Sequence, residues 1–505
     1  MARLKKGERI EVTVDDLAYG GHGVARHGGL VVMVAGGVPG DRLRARVTRM
    51  RRSLAEARAE EVLDPSPLRV EPFCRHNTIC GGCRHQEIAY PEQVRLKARQ
   101  IEEALRRIGG FAEPPLEDPI ASVNQTYYRN KMEFSFGMDR ETGLKLGMHP
   151  AGDFRDVFQI EACHLLSERS NEQIAWITRE ARETGLPVYD QIRHEGFFRF
   201  LSLREGKATG QTMAIFTTTT GDDAARDALG DLAARLRLAF PEIRSVVRQV
   251  NEGRAGVAAG EYEEVLAGER TIEEQLGGYR FEISARAFFQ TNTSQAEKLY
   301  ARVLEDAALS GSGVVFDLFS GTGTISILMS SKARKVYGIE ANPDAVADAV
   351  RNAALSGSGV AFDLFSGTGT ISILMSGSVR KVYGVESNPD AIADAVRNAA
   401  LNDVATCEFV QGEVGEVLAR SPVAHARPEV AILNPPRAGV HPSLIKRLLR
   451  LEPPRIVYVS CNPTTLARDL AALAEGGYSF RRAVPVDMFP HTAHIESVAL
   501  MERRS

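Results

Sequence analysis

Residues 314–340 read VVFDLFSGTGTISILMSSKARKVYGIE, and this stretch decides the fold of the C-terminal part of the chain. The apolar run VVFDLF is typical of a buried strand, SGTGT is a glycine-rich turn, and ISILMSS begins a helix. KVYGIE then indicates a second strand. The alternation of strands and helices predicts a doubly wound α/β domain over residues 286–505.

The glycine-rich turn is the candidate ligand site of this domain. It follows a strand, and in doubly wound folds nucleotide-like ligands bind at the carboxyl ends of the strands. Glu340 ends the second strand, where a carboxylate accepts hydrogen bonds from ribose hydroxyls. Neither GKS nor GKT follows the turn, which argues against a phosphate-binding P-loop.

A tandem repeat contains this stretch. Residues 309–354 match residues 355–400 at 39 of 46 positions, so the second turn is a copy of the first and Glu386 is the copy of Glu340. Because a single ligand needs only one such turn, only one of the two copies is required for binding. We favour the second copy as the working one and as part of the sheet, because it runs directly into the next expected strands, ATCEFVQGEV and PEVAILNPPR. The first copy, or a site shared by the two copies, is the alternative.

Composition limits the class of protein. The chain has 505 residues, of which 44% are hydrophobic and 25% charged, which excludes a wholly disordered, collagen-like or coiled-coil chain and suggests two to four domains. The net charge is −3, so a nucleic-acid partner requires local basic patches. No apolar run approaches the ~18 residues of a membrane span, and the first residues lack a signal peptide's apolar core. We therefore expect a cytoplasmic protein with no membrane partner.

Two further regions precede the α/β domain. Residues 1–62 contain short apolar strands separated by glycine-rich turns, which predicts a small β-barrel. Arg42, Arg44 and Arg46 alternate along one strand and share a face, either a surface for RNA phosphates or an ordinary solvated face. Residues 63–285 mix a basic amphipathic helix with strands, which indicates an α+β central domain.

Three cysteines are closely spaced in this central region. Cys74, Cys80 and Cys83 follow the pattern C-x5-C-x2-C, and Cys163 is the nearest candidate for a fourth ligand. The spacing is more similar to that of iron–sulfur sites than to the paired C-x2-C of zinc ribbons. Zinc and unrelated free thiols remain the alternatives.

Near the C-terminus, three polar side chains are candidates for chemistry. Asn434 ends the apolar strand AILN and Cys461 follows the strand IVYVS, so both lie at strand ends. Cys461 is either a buried thiol or a partly exposed nucleophile. Glu496, in HIESVAL, is either a surface residue or a general base beside the cleft.

Together these motifs resemble one family. FFQTN, DLFSGTG, NPPRAG, YVSCNP and DMFPHT followed by HIE look like motifs of the RNA uridine-5 methyltransferases, over essentially the whole chain. The N-terminal module resembles a TRAM domain, an OB-like RNA-binding barrel, and the cysteine pattern resembles that family's [4Fe-4S] site. The resemblance implies a Rossmann-like class I methyltransferase domain. The TRAM domain and the cluster point to the bacterial branch that modifies 23S ribosomal RNA.

The resemblance also implies roles for individual residues. Cys461 matches the nucleophile and Glu496 the base. The implied contacts to S-adenosylmethionine are Gln290, Phe319 or Phe365, Glu340 or Glu386, and Asn434. The implied cluster ligands are Cys74, Cys80, Cys83 and Cys163. No obligate protein partner is implied.

Two departures from the family pattern leave alternatives open. Asn434 stands where the family has aspartate, and the repeat separates motifs that belong together. An RNA-binding protein with an inactive methyltransferase domain and a tRNA-modifying enzyme are the alternative functions. A redox sensor, which would rest on the cysteines alone, is the weakest.

Overall fold

The computed structural model describes the two ends of the chain more fully than the repeat between them. The described residues are 4–153, 155–254, 256, 258, 260, 262–340, 345, 348, 349, 351, 352 and 428–504, with the backbone of 361–364, 382–386 and 407–411. Within these ranges no helix combines the length and apolar character needed to cross a bilayer.

The N-terminal part is a closed five-stranded barrel, as predicted. Its strands are β1 (Arg9–Ala18), β2 (His22–His27), β3 (Leu30–Ala35), β4 (Arg42–Met50) and β5 (Leu54–Asp64). They close in the order β1-β2-β3-β5-β4. Alternate residues of each strand point inward, so that Ile10, Val12 and Val14 of β1 contribute to one apolar core.

The same alternation places three arginines of β4 on the outer face, as the sequence predicts. Each of them pairs with glutamates of neighbouring strands: Arg42 with Glu11, Arg44 with Glu11 and Glu61, and Arg46 with Glu60. Because these carboxylates already neutralise the guanidinium groups, this face offers less free positive charge to a phosphate backbone than the sequence suggests.

The central part contains a seven-stranded mixed sheet and a separate hairpin. The sheet strands are β6 (Lys131–Asp139), β7 (Gly143–Met148), β8 (Phe158–Gln159), β9 (Phe198–Glu205), β10 (Thr212–Thr218), β11 (Ile243–Val250) and β12 (Tyr262–Gly268). Their order is β12-β11-β10-β9-β6-β7-β8. The helices of this part are α1 (Tyr90–Arg107), α2 (Glu168–Glu183) and α3 (Asp223–Ala239), and the hairpin is β13 (Thr271–Leu276) with β14 (Tyr279–Ser284).

Helix α1 packs on the C-terminal part rather than on the central sheet. Its inward residues Ile101 and Leu105 are fully buried in the apolar cluster that also contains Phe316 and Tyr458. The ammonium group of Lys97 on the same helix is buried and lies 2.8 Å from a carboxylate oxygen of Asp487. Breaking a buried ion pair by removing one partner is strongly destabilising, so α1 is firmly attached to the C-terminal part.

The C-terminal part is a doubly wound sheet, as predicted. Its described elements are α4 (Thr293–Ala307), β15 (Val314–Leu318), α5 (Thr324–Ser330), β16 (Lys335–Ile339), β17 (Ala361–Leu364), β18 (Val382–Glu386), β19 (Cys407–Gln411), β20 (Val430–Leu433), α6 (Pro442–Leu451), β21 (Arg455–Ser460), α7 (Pro463–Glu475), β22 (Tyr478–Val486) and β23 (Glu496–Arg503). The main sheet has the order β16-β15-β20-β21-β23-β22. Strands β16, β15, β20 and β21 run parallel, and β23 is antiparallel to β21 and β22.

The preference for the second copy of the repeat as part of the main sheet is wrong. Strand β15 of the first copy pairs with β20, from Val315 opposite Val430 to Leu318 opposite Leu433. Strands β17 and β18 of the second copy form a separate three-stranded sheet with β19.

One difference between the copies gives a physical reason for this choice. Val315 of the first copy is fully buried, and the equivalent residue of the second copy is Ala361. The larger β-branched side chain stabilises a buried strand more than alanine does. The long loop that must close after the first copy adds little to the free-energy cost of folding, because the entropic cost of loop closure grows slowly with loop length.

Candidate active site

Four candidate residues follow the four parallel strands of the main sheet. Phe319 follows β15, Glu340 follows β16, Asn434 follows β20 and Cys461 follows β21. Because carboxyl ends of parallel strands meet at one edge of a sheet, these four residues border the same cleft. Asn434 and Cys461 thus follow strands as the sequence pattern predicts, and Phe319 and Glu340 are those of the first repeat copy.

The glycine-rich turn after β15 depends on its two glycines. Gly321 and Gly323 have φ angles of +55° and +78°, which glycine adopts without strain. A Cβ atom on Gly323 would lie 2.9 Å from the Cβ of Ala349, so a side chain would not fit. Phe319 also has a positive φ, +66°, which is strained for a non-glycine residue and is typical of functional turns.

The acidic residue of the neighbouring strand contacts this turn. The N–H of Gly321 donates to Oε2 of Glu340 over 2.9 Å. On the other side, the N–H of Asn434 donates to the carbonyl of Leu318 over 3.3 Å. The turn, the acidic residue and Asn434 therefore form one continuous wall.

Gln290 precedes α4 and is nearly fully buried. The side-chain amide of Asn130 donates to its carbonyl over 2.7 Å. Its side chain hydrogen-bonds Tyr300, whose pKa is raised by burial and by the charges of Asp317 and Glu496. Gln290 is thus connected through Tyr300 to the region of Glu496.

Cys461 lies between β21 and α7 in a tightly held segment. The hydroxyl of Ser497 on β23 donates to the carbonyl of Ser460 over 3.3 Å. The side chain of Asn462 caps α7 by accepting from the N–H of Thr464 over 3.0 Å. The thiol itself is partly exposed, so a substrate can reach it.

Glu496 begins β23 and its carboxyl group is buried. Burial raises the pKa of Glu496 to about 8, and the positive charge of Arg437 opposes this rise. Burial also raises the pKa of the Cys461 thiol; the charge of Glu496 adds to this rise, and Arg437 opposes it. The thiol, the carboxyl group and the guanidinium group therefore lie within mutual electrostatic reach.

His494 is also near this group, but it stays neutral. Burial and the positive charge of Arg437 lower the pKa of His494 to about 4. An Nη atom of Arg437 lies 3.5 Å from Nε2 of His494. Glu496 therefore changes charge near pH 8, and the Cys461 thiol, whose pKa is raised, ionises at a higher pH than an ordinary thiol.

The second copy contributes no described side chain to the site. Phe365 lies outside the described residues, and Glu386 ends β18 with its side chain outside them. Because β18 belongs to the separate sheet, the turn and the acidic residue beside Asn434 are those of the first copy.

The four cysteines of the central part lie in one region. Burial raises the pKa of Cys83 to about 12, and the charges of Cys163 and Cys80 contribute to the rise. Burial also raises the pKa of Cys80, and the charge of Cys74 adds to that rise. In the part of the chain that the structure describes, no three Cys, His, Asp or Glu side chains converge as they would around a single ion. A cluster at these residues stays a prediction.

Two residues at the site were not singled out from the sequence. Arg437 carried a signal, because it follows the strand-ending Asn-Pro-Pro within three residues of Asn434. Tyr19 carried none: it belongs to the N-terminal barrel, and its hydroxyl donates to the carbonyl of Cys461 over 3.1 Å. The contact between Tyr19 and Cys461 depends on how the barrel packs against the sheet.

Two family models match this chain. Residues 3–59 match the TRAM domain, and residues 356–504 match the family described as tRNA (Uracil-5-)-methyltransferase.

Relatives and a solved structure match nearly the whole chain. A protein of Halalkalibacterium halodurans described as an uncharacterized RNA methyltransferase is 34% identical over 504 residues, which cover 100% of this chain and 99% of the relative. A protein of Chlorobaculum tepidum with the same description is 35% identical over 520 residues, which cover 99% and 98%. The crystal structure of Pyrococcus abyssi tRNA (uracil-54, C5)-methyltransferase in complex with S-adenosyl-L-homocysteine has a TM-score of 0.61 at 27% identity and covers 97% of this chain and 99% of that one.

Proposed function

Because this chain belongs to the RNA uracil-5 methyltransferase family, we propose that it methylates carbon 5 of a uridine through a covalent bond between Cys461 and carbon 6. The family depends on S-adenosylmethionine, which supplies an electrophilic methyl group when bound. One observation carries the proposal: Cys461, Glu496 and Arg437 influence one another's charge, and they lie at the edge of the main sheet where the glycine-rich turn is also found.

The chemistry explains why a nucleophile and a base are both needed. Carbon 5 of uracil is a poor nucleophile, and addition of the Cys461 thiolate to carbon 6 makes it enolate-like. Arg437 favours the ionised thiol. Once carbon 5 carries the methyl group, the carboxylate of Glu496 accepts the carbon-5 proton. The electrons of that C–H bond then restore the double bond and expel the thiolate.

The base must also leave its stack to reach Cys461. Enzymes that modify a stacked base extrude it into a pocket, at a cost of a few kcal/mol for unstacking. We therefore expect the target uridine to be flipped out of its RNA.

The wall together with Gln290 fits the methyl donor. Gln290, Phe319, Glu340 and Asn434 would hold S-adenosylmethionine, since the turn has two glycines with positive φ angles and Glu340 accepts a hydrogen bond from it. Asn434 keeps an acceptor oxygen but lacks the family's negative charge.

The first copy of the repeat should bind the cofactor. We expect Glu340→Gln to weaken S-adenosylmethionine binding by roughly 10- to 100-fold, the effect of losing hydrogen bonds to a charged group. Glu386→Gln, its matched control in the second copy, should leave the affinity unchanged. Isothermal titration calorimetry measures both. The reverse ranking would assign the cofactor to the second copy, and no binding to the wild type would favour the inactive RNA-binding alternative.

The site should also show a characteristic pH dependence. The pKa of Glu496 is raised to about 8, so its carboxyl group is protonated below that pH and cannot accept a proton. Cys461 must also ionise, and its pKa is raised too. We expect kcat to rise by about tenfold per pH unit from pH 6 to pH 8. A flat profile across this range would contradict the assignment of Glu496 as the base.

We propose 23S ribosomal RNA as the substrate, on the basis of the cysteine pattern together with the barrel. The barrel alone does not separate the RNA classes, because the tRNA enzyme of Pyrococcus abyssi matches 97% of this chain. Parallel assays with 23S ribosomal RNA and with tRNA decide between them. Methylation of tRNA alone would assign the chain to the tRNA-modifying branch.

We also propose that Cys74, Cys80, Cys83 and Cys163 hold a [4Fe-4S] cluster. Four neighbouring thiols support this, since such clusters are bound by four cysteine thiolates.

Iron content tests this proposal. Protein purified without oxygen should contain about four iron and four sulfide ions per chain. Cys83→Ser should lose them, whereas Cys407→Ser, a control on β19, should retain them. Wild-type protein that binds zinc and no iron would contradict the cluster.

A further inference from the structure

The turn between β1 and β2 of the barrel is fixed against the rest of the molecule. Its residues Gly20 and Gly21 have positive φ angles of +98° and +83°. A guanidinium nitrogen of Arg84 donates to the carbonyl of Gly20 over 2.6 Å. A Cβ atom on Gly21 would lie 3.2 Å from the Cβ of Ala493, so the turn is in close contact with the segment that precedes Glu496.

The end of strand β1 next to this turn is held by helix α1. The amide of Gln100 donates to the carbonyl of Leu17 over 3.0 Å, and Arg99 forms an ion pair with Asp16 at 3.2 Å. Leu17 packs with Leu96 in a small apolar cluster. Because α1 is also attached to the C-terminal part through Lys97, the turn has a defined position relative to the main sheet.

This position brings Tyr19 to the nucleophile. Its hydroxyl donates to the carbonyl of Cys461 over 3.1 Å. The neighbouring carbonyl of Ser460 is held by Ser497. Two hydrogen bonds from different parts of the chain thus fix consecutive peptide groups at the nucleophile, one from the sheet and one from the barrel.

The surroundings of Tyr19 are those of the reaction site. Burial raises the pKa of Tyr19; Arg437 opposes this rise, and Cys461 and Glu496 add to it. The side chain is 37% exposed, so it is in contact both with the site and with solvent in the cleft.

We propose that Tyr19 is a positioning residue for Cys461, so that the barrel completes the reaction site as well as binding RNA; this rests on the proposed role of Cys461 as nucleophile. Its hydrogen bond fixes the backbone of Cys461 in the orientation from which the thiolate adds to carbon 6. Small displacements of a reacting group slow a reaction strongly, so the bond should act on the rate of addition.

The variant Tyr19→Phe removes the hydroxyl and keeps the ring. We expect kcat to fall by about 2- to 10-fold, the effect of one neutral hydrogen bond, with an unchanged KM for RNA. Tyr262→Phe, a change of an exposed tyrosine at the start of β12, is the control and should retain the wild-type kcat. Unchanged kcat, or a change confined to the KM for RNA, would overturn the proposal.

The rate of adduct formation separates this proposal from the function on which it rests. In a Glu496→Gln background, where the adduct should accumulate, adding Tyr19→Phe should slow its formation by the same factor. Thermal unfolding of both proteins gives the folded fraction to which the rates are normalised. If Glu496→Gln neither forms an adduct with RNA nor turns over, the proposed function fails; if both proteins form the adduct equally fast, the positioning role of Tyr19 is wrong.

Discussion

Replacement of Cys461 by alanine should abolish methyl transfer. Without the thiolate, carbon 5 of uracil keeps its low nucleophilicity, and loss of a covalent nucleophile lowers kcat on the order of 10⁴-fold or more. Incubation of the variant with S-adenosylmethionine and RNA carrying 5-tritiated uridine should release no tritium above background. The binding of S-adenosylmethionine should remain, because the glycine-rich turn follows a different strand.

A cysteine outside the site provides the control. Cys407 lies on β19 in the separate sheet, and Cys407→Ala should retain the wild-type rate. Substantial tritium release by Cys461→Ala would show that the reaction proceeds without this thiol and would contradict the covalent mechanism.

Replacement of Glu496 by glutamine should stop the reaction after the methyl group has been transferred. Glutamine preserves the size of the side chain but does not accept the carbon-5 proton, so the thiol cannot be eliminated. Loss of a general base lowers turnover by about 10² to 10⁴-fold. We expect a covalent complex of protein and methylated RNA that survives denaturing electrophoresis.

A glutamate on the same strand is the matched control. Glu502 pairs with Arg455 and Arg481 at the other end of β23, and Glu502→Gln should turn over normally without accumulating the complex. A Glu496→Gln protein with normal turnover would remove Glu496 from the mechanism.

Stability against pH shows whether the Glu496→Gln protein is intact. Folding raises the pKa of Glu496 from 4.5 to about 8, so the folded state favours the protonated form. The wild type therefore loses stability as the pH rises from 4.5 through 8, and the glutamine variant lacks this loss. We expect the variant to have an equal melting temperature at pH 5 and a higher one at pH 9.

The strand-end residues of the site could be predicted because they depend on local sequence. Each apolar run that ends in a polar residue predicts a strand, and the alternation with helices predicts that the strands are parallel. These two facts place Asn434, Cys461 and the glutamate of one repeat copy, Glu340 or Glu386, at one edge without knowledge of any tertiary contact.

The role of the repeat and the contact of Tyr19 could not be predicted in this way. Two nearly identical strands compete for the place beside β20, and proximity in sequence pointed to the wrong one. The difference between Val315 and Ala361 is small and matters only when the buried surroundings of Val315 are known. Tyr19 and Cys461 are 442 residues apart, and no periodicity or spacing connects them.

The most direct test of the account uses the wild-type protein. With S-adenosylmethionine carrying a labelled methyl group and 23S ribosomal RNA containing 5-tritiated uridine, we predict that tritium release equals methyl incorporation, because the methyl group replaces the carbon-5 proton. Methyl incorporation without tritium release would place the methyl group elsewhere on the RNA. The absence of both, with 23S ribosomal RNA and with tRNA, would contradict the proposed function.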